Sequence, residues 1–183
     1  YHYKERFNNN QFLQSKLKGK SVLSVTTDHD KNLWIVTRSD GIMLYRNDNN
    51  EIQRFSNQEL YGFWDSFQHT ASSIYIGSDN TIWVRSDWML LKMRLEKEKL
   101  VRKKHYYFPT GILSITEDAK GTIWLGGKDQ SIFVLNKGEE YFERFHLYGK
   151  EYNFTPALLT LSSGNILVAS FNHELQLIDA NSR

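Results

Sequence analysis

Three groups of residues in this chain are of types that could do chemistry. The first are the carboxylates of two turns, "DHDKN" (28–32) and "DAKG" (118–121). Calcium takes six to eight oxygens, several of them from one loop. The first turn offers Asp28, Asp30 and Asn32, but the second offers only Asp118, so turn-capping hydrogen bonds are the better reading. The second group are six histidines, His2, His29, His69, His105, His146 and His173, whose spacing matches no metal-ligand pattern. No nucleophile–base arrangement accompanies them, so neither a metal, a cofactor nor a catalytic residue is expected. The third group lies in "SNQELYGFWDSFQHT" (56–70), which carries Tyr61, Phe63, Trp64, Asp65, Phe67 and His69. Aromatics beside polar groups suit an oligosaccharide, with stacking on the sugar face and hydrogen bonds to its hydroxyls.

What positions these residues is a strand-and-turn composition. Val, Ile, Thr, Tyr, Phe and Trp crowd short runs, only two prolines occur, and the turns are built from Asn, Asp and Gly. No stretch shows a sustained helical period. The 183 residues are 40% hydrophobic and 14% aromatic, enough for a packed core. A net charge of +2 argues against nucleic acid and acidic membrane as partners. The absence of cysteine removes disulfides and thiol chemistry. No apolar run reaches the roughly 20 residues a membrane helix needs, so no direct membrane insertion is expected of this segment. The chain opens on Tyr1 and reads as a piece of something longer.

The strands repeat. "NLWIVT", "TIWVRS" and "TIWLGG" place Trp34, Trp83 and Trp124 at equivalent points, and "NILVAS" places Leu167 where the next Trp would stand. The period is that of a four-stranded propeller blade, roughly 40–50 residues. Within each unit a short strand A, a tight turn, the Trp-bearing strand B, strand C, a hairpin and strand D follow in order. Strand B is apolar without alternation, which requires cover on both faces and fits blades stacked around an axis. The expected fold is all-β: a β-propeller of about four blades, a portion of a larger one. Blades are expected at 20–56, 70–108 and 110–147, with a partial blade at 154–183. Residues 1–7 supply a D strand, because "KERF" resembles "IQRF" and "FERF". Pairing of Tyr3–Phe7 with the last blade, within the chain or across a homodimer, would satisfy the open edges. The basic run at 92–104 reads as an outer C–D hairpin whose lysines block edge-to-edge pairing.

The third unit, "ILSITEDAKGTIWLGGKDQSIFVL" (112–135), resembles the repeat of two-component regulator propellers. Ser114, Ile115, Glu117, Asp118, Gly121, Ile123, Trp124, Leu125 and Gly126 fit that pattern, with Gly127 and Ser131 departing from it. The first unit keeps Ser24, Val25, Asp28, Leu33, Trp34, Ile35, Thr37, Gly41 and Ile42 but has Lys31 in place of the turn glycine. The second has Gly77 at the Asp position, and the fourth departs further. The turn also resembles the Asp-box of sialidases, but one extra residue intervenes. The resemblance to regulator propellers implies a non-catalytic periplasmic sensor region of a membrane-anchored hybrid histidine kinase, sensing a carbohydrate-derived ligand. A propeller scaffold for protein–protein interaction is the alternative.

Strand alternation sorts the loops. B–C and D–A loops share one face of the disc, and A–B and C–D turns share the other. The first face collects Arg38, Asp40, Asp87, Trp88, Lys128, Asp129 and His173, joined by Tyr61, Trp64, Asp65 and His69 from the 56–70 loop. These are the candidate ligand contacts. The competing reading packs the loop aromatics into the junction of blades one and two, or against another domain of the parent.

Overall fold

The computed structural model describes residues 11–62, 70–146, 157–170 and 175–180. They form four antiparallel sheets in the order of the chain, a four-bladed arc of β-propeller. Blade one comprises β1 (Val22–Thr27), β2 (Leu33–Thr37), β3 (Gly41–Tyr45) and β4 (Ile52–Phe55). Blade two comprises β5 (Ser73–Ile76), β6 (Ile82–Arg85), β7 (Met89–Glu96) and β8 (Lys99–Tyr107). Blade three comprises β9 (Ile112–Glu117), β10 (Ile123–Gly127), β11 (Ser131–Leu135) and β12 (Glu143–His146). Blade four shows three strands among the described residues, β13 (Ala157–Thr160), β14 (Ile166–Ala169) and β15 (Gln176–Ile178). The pairing of Tyr3–Phe7 lies outside the described residues.

The A–B turns share one backbone solution. In each, an amide bonds back to the carbonyl three residues earlier: Lys31 to Asp28, Asn80 to Gly77, Gly121 to Asp118, Gly164 to Leu161. The donor residue has positive φ every time, 64° at Lys31, 62° at Asn80, 81° at Gly121 and 86° at Gly164. A glycine adopts that conformation without strain, whereas Lys31 holds it against the preference of an L side chain.

The core lies between the sheets. Trp34, Val36, Ile42 and Leu44 of blade one pack on Ile74, Ile82, Val84 and Leu91 of blade two. The opposite face of blade two, with Trp83 and Leu90, packs on Ile112, Ile123 and Leu125 of blade three. Trp124, Ile132 and Val134 then meet Leu158, Ile166 and Val168 of blade four. Trp34, Trp83 and Trp124 are thus each buried between two blades, as strand B's apolar run requires. Burying such a side chain removes most of 150–250 Å² from water and contributes a few kcal/mol, at roughly 25 cal/mol per Å² of apolar area.

The two outermost faces of the arc are covered only in part: on blade one Ile35 and Met43 are buried, but Val25 in the same row is not. On β1, Val25 is 53% exposed and Leu23 is exposed beside it. On blade four, Leu159 is 57% and Leu177 58% exposed. Leu159 pairs with Leu167, which pairs with Leu177, so three leucines form a row across that sheet.

Among the described residues two short helices depart from the strand-only expectation. Helix α1 (Gln11–Leu17) buries no side chain and meets blade one through Phe12, whose ring lies 6.4 Å from that of Tyr45. Helix α2 (Asn57–Tyr61) follows β4 and is set by a capping box. Ser56 Oγ accepts from the Glu59 amide at 3.2 Å, and Glu59 Oε2 accepts from the Ser56 amide at 2.6 Å. Its far end inserts Leu60 and Tyr61 into the core between blades one and two.

Candidate functional site

The Asp–Trp motif that repeats is scaffold. Asp118 is buried and accepts from the amides of Lys120 (2.9 Å) and Thr122 (3.0 Å) and from Trp124 Nε1 (3.0 Å). Asp28 does the same in blade one, accepting from the Asn32 amide (2.8 Å), Asn32 Nδ2 (3.1 Å) and Trp34 Nε1 (2.9 Å). Each carboxylate accepts three hydrogen bonds from its own blade, so both are occupied in shaping it. Blade two has Gly77 at that position and replaces the function. Asp79 accepts from the Thr81 amide at 2.8 Å and pairs with Arg94 at 2.7 Å. Glu117 of blade three reaches across to the Ser78 amide at 2.7 Å. His29 Nε2 and the Gly77 carbonyl, 3.2 Å apart, link blades one and two, and Thr160 Oγ1 donates to the Glu117 carbonyl at 2.9 Å to link blades three and four. Adjacent A–B turns are tied together along the arc.

On the opposite face, the B–C and D–A connections bring Asp87, Trp88 and Lys128 into one neighbourhood. The Ile112 amide donates to the Asp87 carbonyl at 2.9 Å, and the Phe108 amide donates to the Trp88 carbonyl at 3.0 Å. The Lys128 amide donates to the Gly111 carbonyl at 2.8 Å, and the Lys128 side chain packs over Gly111. Trp88 is 49% exposed and Asp87 is exposed, so an indole face, a carboxylate and an ammonium stand near the 108–111 connection between blades two and three. That combination can stack on a sugar ring and hydrogen-bond its hydroxyls.

Behind it sits Arg85, which the motif reading did not single out. Its Nε donates to Ser73 Oγ at 2.8 Å, and its guanidinium also donates to the Ile112 carbonyl. It fixes the inner strands of blades two and three to each other just below Asp87. Burial pulls its pKa down, opposed by the charge of Asp87. An Arg ending the Trp-bearing strand and facing Asp two residues later is a signal the sequence does carry.

Arg38 and Asp40 form a separate cluster on blade one. Lys20 Nζ pairs with Asp40 at 2.7 Å, and the Asp40 amide donates to Thr37 Oγ1 at 3.2 Å. The hydrogen bond from Lys20 holds the Asp40 carboxyl below the usual carboxylate range. Arg38 is exposed, its amide bonded to the Ser21 carbonyl at 2.9 Å. The Asp129 carboxylate lies beside Gly127, close to Thr110, but is engaged within its own blade. It accepts from the Ser131 amide at 3.1 Å and pairs with Arg144 of β12.

Tyr61 is 1% exposed and belongs to the core between blades one and two. For this residue the packing alternative holds: α2 swings the ring inward, and burial pushes its phenol pKa up. Trp64, Asp65, His69 and His173 lie outside the described residues. Four cavities lined by described residues lie elsewhere. Three occupy the A–B/C–D face at successive blade junctions: Asp30–Arg94 (about 210 Å³), Asp79–Lys137 (about 120 Å³) and Lys120–Glu143 (about 460 Å³). The fourth, about 430 Å³, is on the outer rim between blades two and three. Among the described residues no group of three His, Asp or Glu is placed to hold a metal ion.

Fold and surface together define a β-propeller with an aromatic and charged loop face. Solved structures share this architecture. One is the extracellular domain assigned to a hybrid two component system from B. thetaiotaomicron, with a TM-score of 0.67, 17% identity, and coverage of 89% of this chain and 21% of that one. A second extracellular domain so assigned, from the same organism, gives a TM-score of 0.63 at 19% identity, covering 88% and 22%. Virginiamycin B lyase from Staphylococcus aureus gives 0.62 at 16%, covering 81% and 48%. At these identities the likeness establishes the propeller fold alone. This chain spans about a fifth of the length of the two extracellular domains. No protein-family profile and no curated protein matches it.

Proposed function

We propose that this chain is an arc of a larger β-propeller in the extracytoplasmic sensor region of a two-component signalling protein, and that it acts by binding rather than catalysis. One observation carries the reading. Blade four presents an apolar face to solvent at Leu159 and Leu177, and blade one does so along β1 at Leu23 and Val25, although Ile35 and Met43 in the row of Val25 are buried; the faces between blades are covered. Such faces are those of blades inside a ring. The match to about a fifth of two extracellular domains assigned to hybrid two component systems supports the same assignment. Among the described residues no helix is long and apolar enough to cross a membrane. The parent is read as an inner-membrane histidine kinase whose periplasmic region contains this arc.

The ligand we assign is an oligosaccharide, held on the B–C/D–A face with Trp88 as stacking platform and Asp87 and Lys128 as polar contacts. Binding would favour one arrangement of propellers or protomers, and that population shift would be passed to the kinase. Two experiments test this. The flanking sequence should contain a membrane span followed by a kinase module. The complete extracytoplasmic region, screened against oligosaccharides by thermal shift, should be stabilised by at least one. Trp88→Ala should weaken that ligand about tenfold, the cost of losing an aromatic anchor, without moving the ligand-free melting temperature. A screen in which no glycan shifts melting, or a binder indifferent to Trp88→Ala and Lys128→Ala alike, would overturn the assignment.

A further inference from the structure

The outer rim of blade two carries a surface that the loop face does not explain. Residues 92–104 hold seven Lys or Arg against two Glu; Arg94, Lys103 and Lys104 pair with Asp79, Glu96 and Glu140, and the run keeps an excess of cations beyond these pairs. The run lies on β7 and β8, and β8 is the longest strand, nine residues. Among the described residues β8 pairs with β7 alone, so its outer edge presents backbone amides and carbonyls. The cations block pairing with another copy of the same edge. They do not block pairing with an acidic strand.

The C-terminal end of β8 opens onto the rim cavity of about 430 Å³, which includes Tyr106, Tyr107, Phe108, Tyr141 and Phe142. Tyr141 is 74% and Tyr107 57% exposed. Phe142 meets Tyr106 and Phe108 edge-on, at 5.0 and 5.3 Å between centroids, which makes a rigid floor. Lys104 Nζ stands 4.4 Å from the Tyr141 ring centroid and donates to the Glu140 carbonyl at 2.6 Å, which fixes the cavity's basic wall. Exposed aromatic rings over a packed aromatic floor are costly to leave in water and resemble the centre of a recognition site.

We propose that the rim of blade two binds an acidic peptide segment in extended form, added as a strand along β8 with a bulky apolar side chain seated in the Tyr107–Tyr141 cavity. The edge supplies main-chain hydrogen bonds, the cations supply charge complementarity, and the cavity supplies side-chain selection. A peptide is favoured over a polyanionic glycan because the charges flank an unpaired strand edge, whose donors repeat at the spacing of a backbone.

The test uses fluorescence anisotropy on the 183-residue chain, with a labelled nonapeptide of alternating Glu and Val closed by Phe. Binding is expected, weakened about tenfold by Tyr141→Ala, whose exposed ring leaves folding intact as checked by circular dichroism. The pair K97E/K99E should weaken it by a similar factor. N-methylation of alternate peptide amides should abolish binding, and β8 amides should gain hydrogen-exchange protection with the unmodified peptide. Undiminished binding of the N-methylated peptide overturns the proposal, as does displacement by a sulfated oligosaccharide at lower concentration than unlabelled peptide. Absence of binding at millimolar peptide overturns it too. None of these outcomes bears on the loop-face ligand, whose Trp88→Ala readout is independent.

Discussion

Replacing Asp118 by Ala should be among the most damaging single substitutions of a turn residue in this chain. The carboxylate is buried and holds three donors, of which Trp124 Nε1 and the Thr122 amide are themselves enclosed. A hydrogen bond to a charged group contributes about 1.5–3 kcal/mol, and an orphaned buried donor costs about 1–3 kcal/mol. Loss of both enclosed partners therefore predicts about 3–6 kcal/mol, a large part of the 5–15 kcal/mol typical of a domain. The Asp118–Trp124 share can be isolated by a double-mutant cycle with Trp124→Phe, which removes the indole N–H and keeps an aromatic ring. The coupling should be about 1.5–3 kcal/mol. Asp28→Ala in blade one should cost roughly half as much as Asp118→Ala, because Asp28 is only half-buried and water can replace part of what is lost. Urea unfolding followed by far-ultraviolet circular dichroism measures all of these. A cost below about 1 kcal/mol for Asp118→Ala, or a coupling near zero, would refute the view that this motif is structural.

Further outcomes follow from the same geometry. Lys31→Gly should stabilise the chain by roughly 0.5–1 kcal/mol in urea, because φ of 64° is strained for Lys and the equivalent residues in blades three and four are Gly121 and Gly164. Gly41→Ala should destabilise by roughly 2–4 kcal/mol, since φ is 77° and a Cβ there would lie 2.2 Å from the Phe55 carbonyl oxygen. At Asp129, burial opposes ionisation, but the Ser131 hydrogen bonds and Arg144 outweigh it and leave the pKa lowered; Asp79 is held down in the same way by Thr81 and Arg94. A depressed folded pKa adds stability that is complete above the unfolded value of about 4 and is lost as pH falls through the folded value. The urea midpoint should drop from pH 5 to pH 2.5, and D79N/D129N should flatten part of that slope.

Much of the fold was legible because its signals are local and repeat. Trp34, Trp83 and Trp124 recur at blade spacing, and Asp28 and Asp118 sit six residues before their Trp partners, so turn and core were visible together. What was hidden is non-local or too short to show a period. The replacement of the missing blade-two Asp by Asp79, Arg94 and Glu117 joins residues up to 39 apart in sequence. Helix α2 has five residues, too few for periodicity, although Ser56 and Glu59 spell its capping box. The same helix accounts for Tyr61. Loop composition shows that an aromatic residue is present but not whether it faces solvent or core. Arg144 likewise captures Asp129 from a strand 15 residues away, which no loop reading anticipates.

Hydrogen exchange distinguishes an arc that lies between other blades from one that stands alone. Amides of β1 and of β13 to β15 should exchange rapidly in the isolated chain and become protected in the complete extracytoplasmic region, while β6, β7 and β10 are protected in both. Equal protection of the outer blades in the two samples would contradict it.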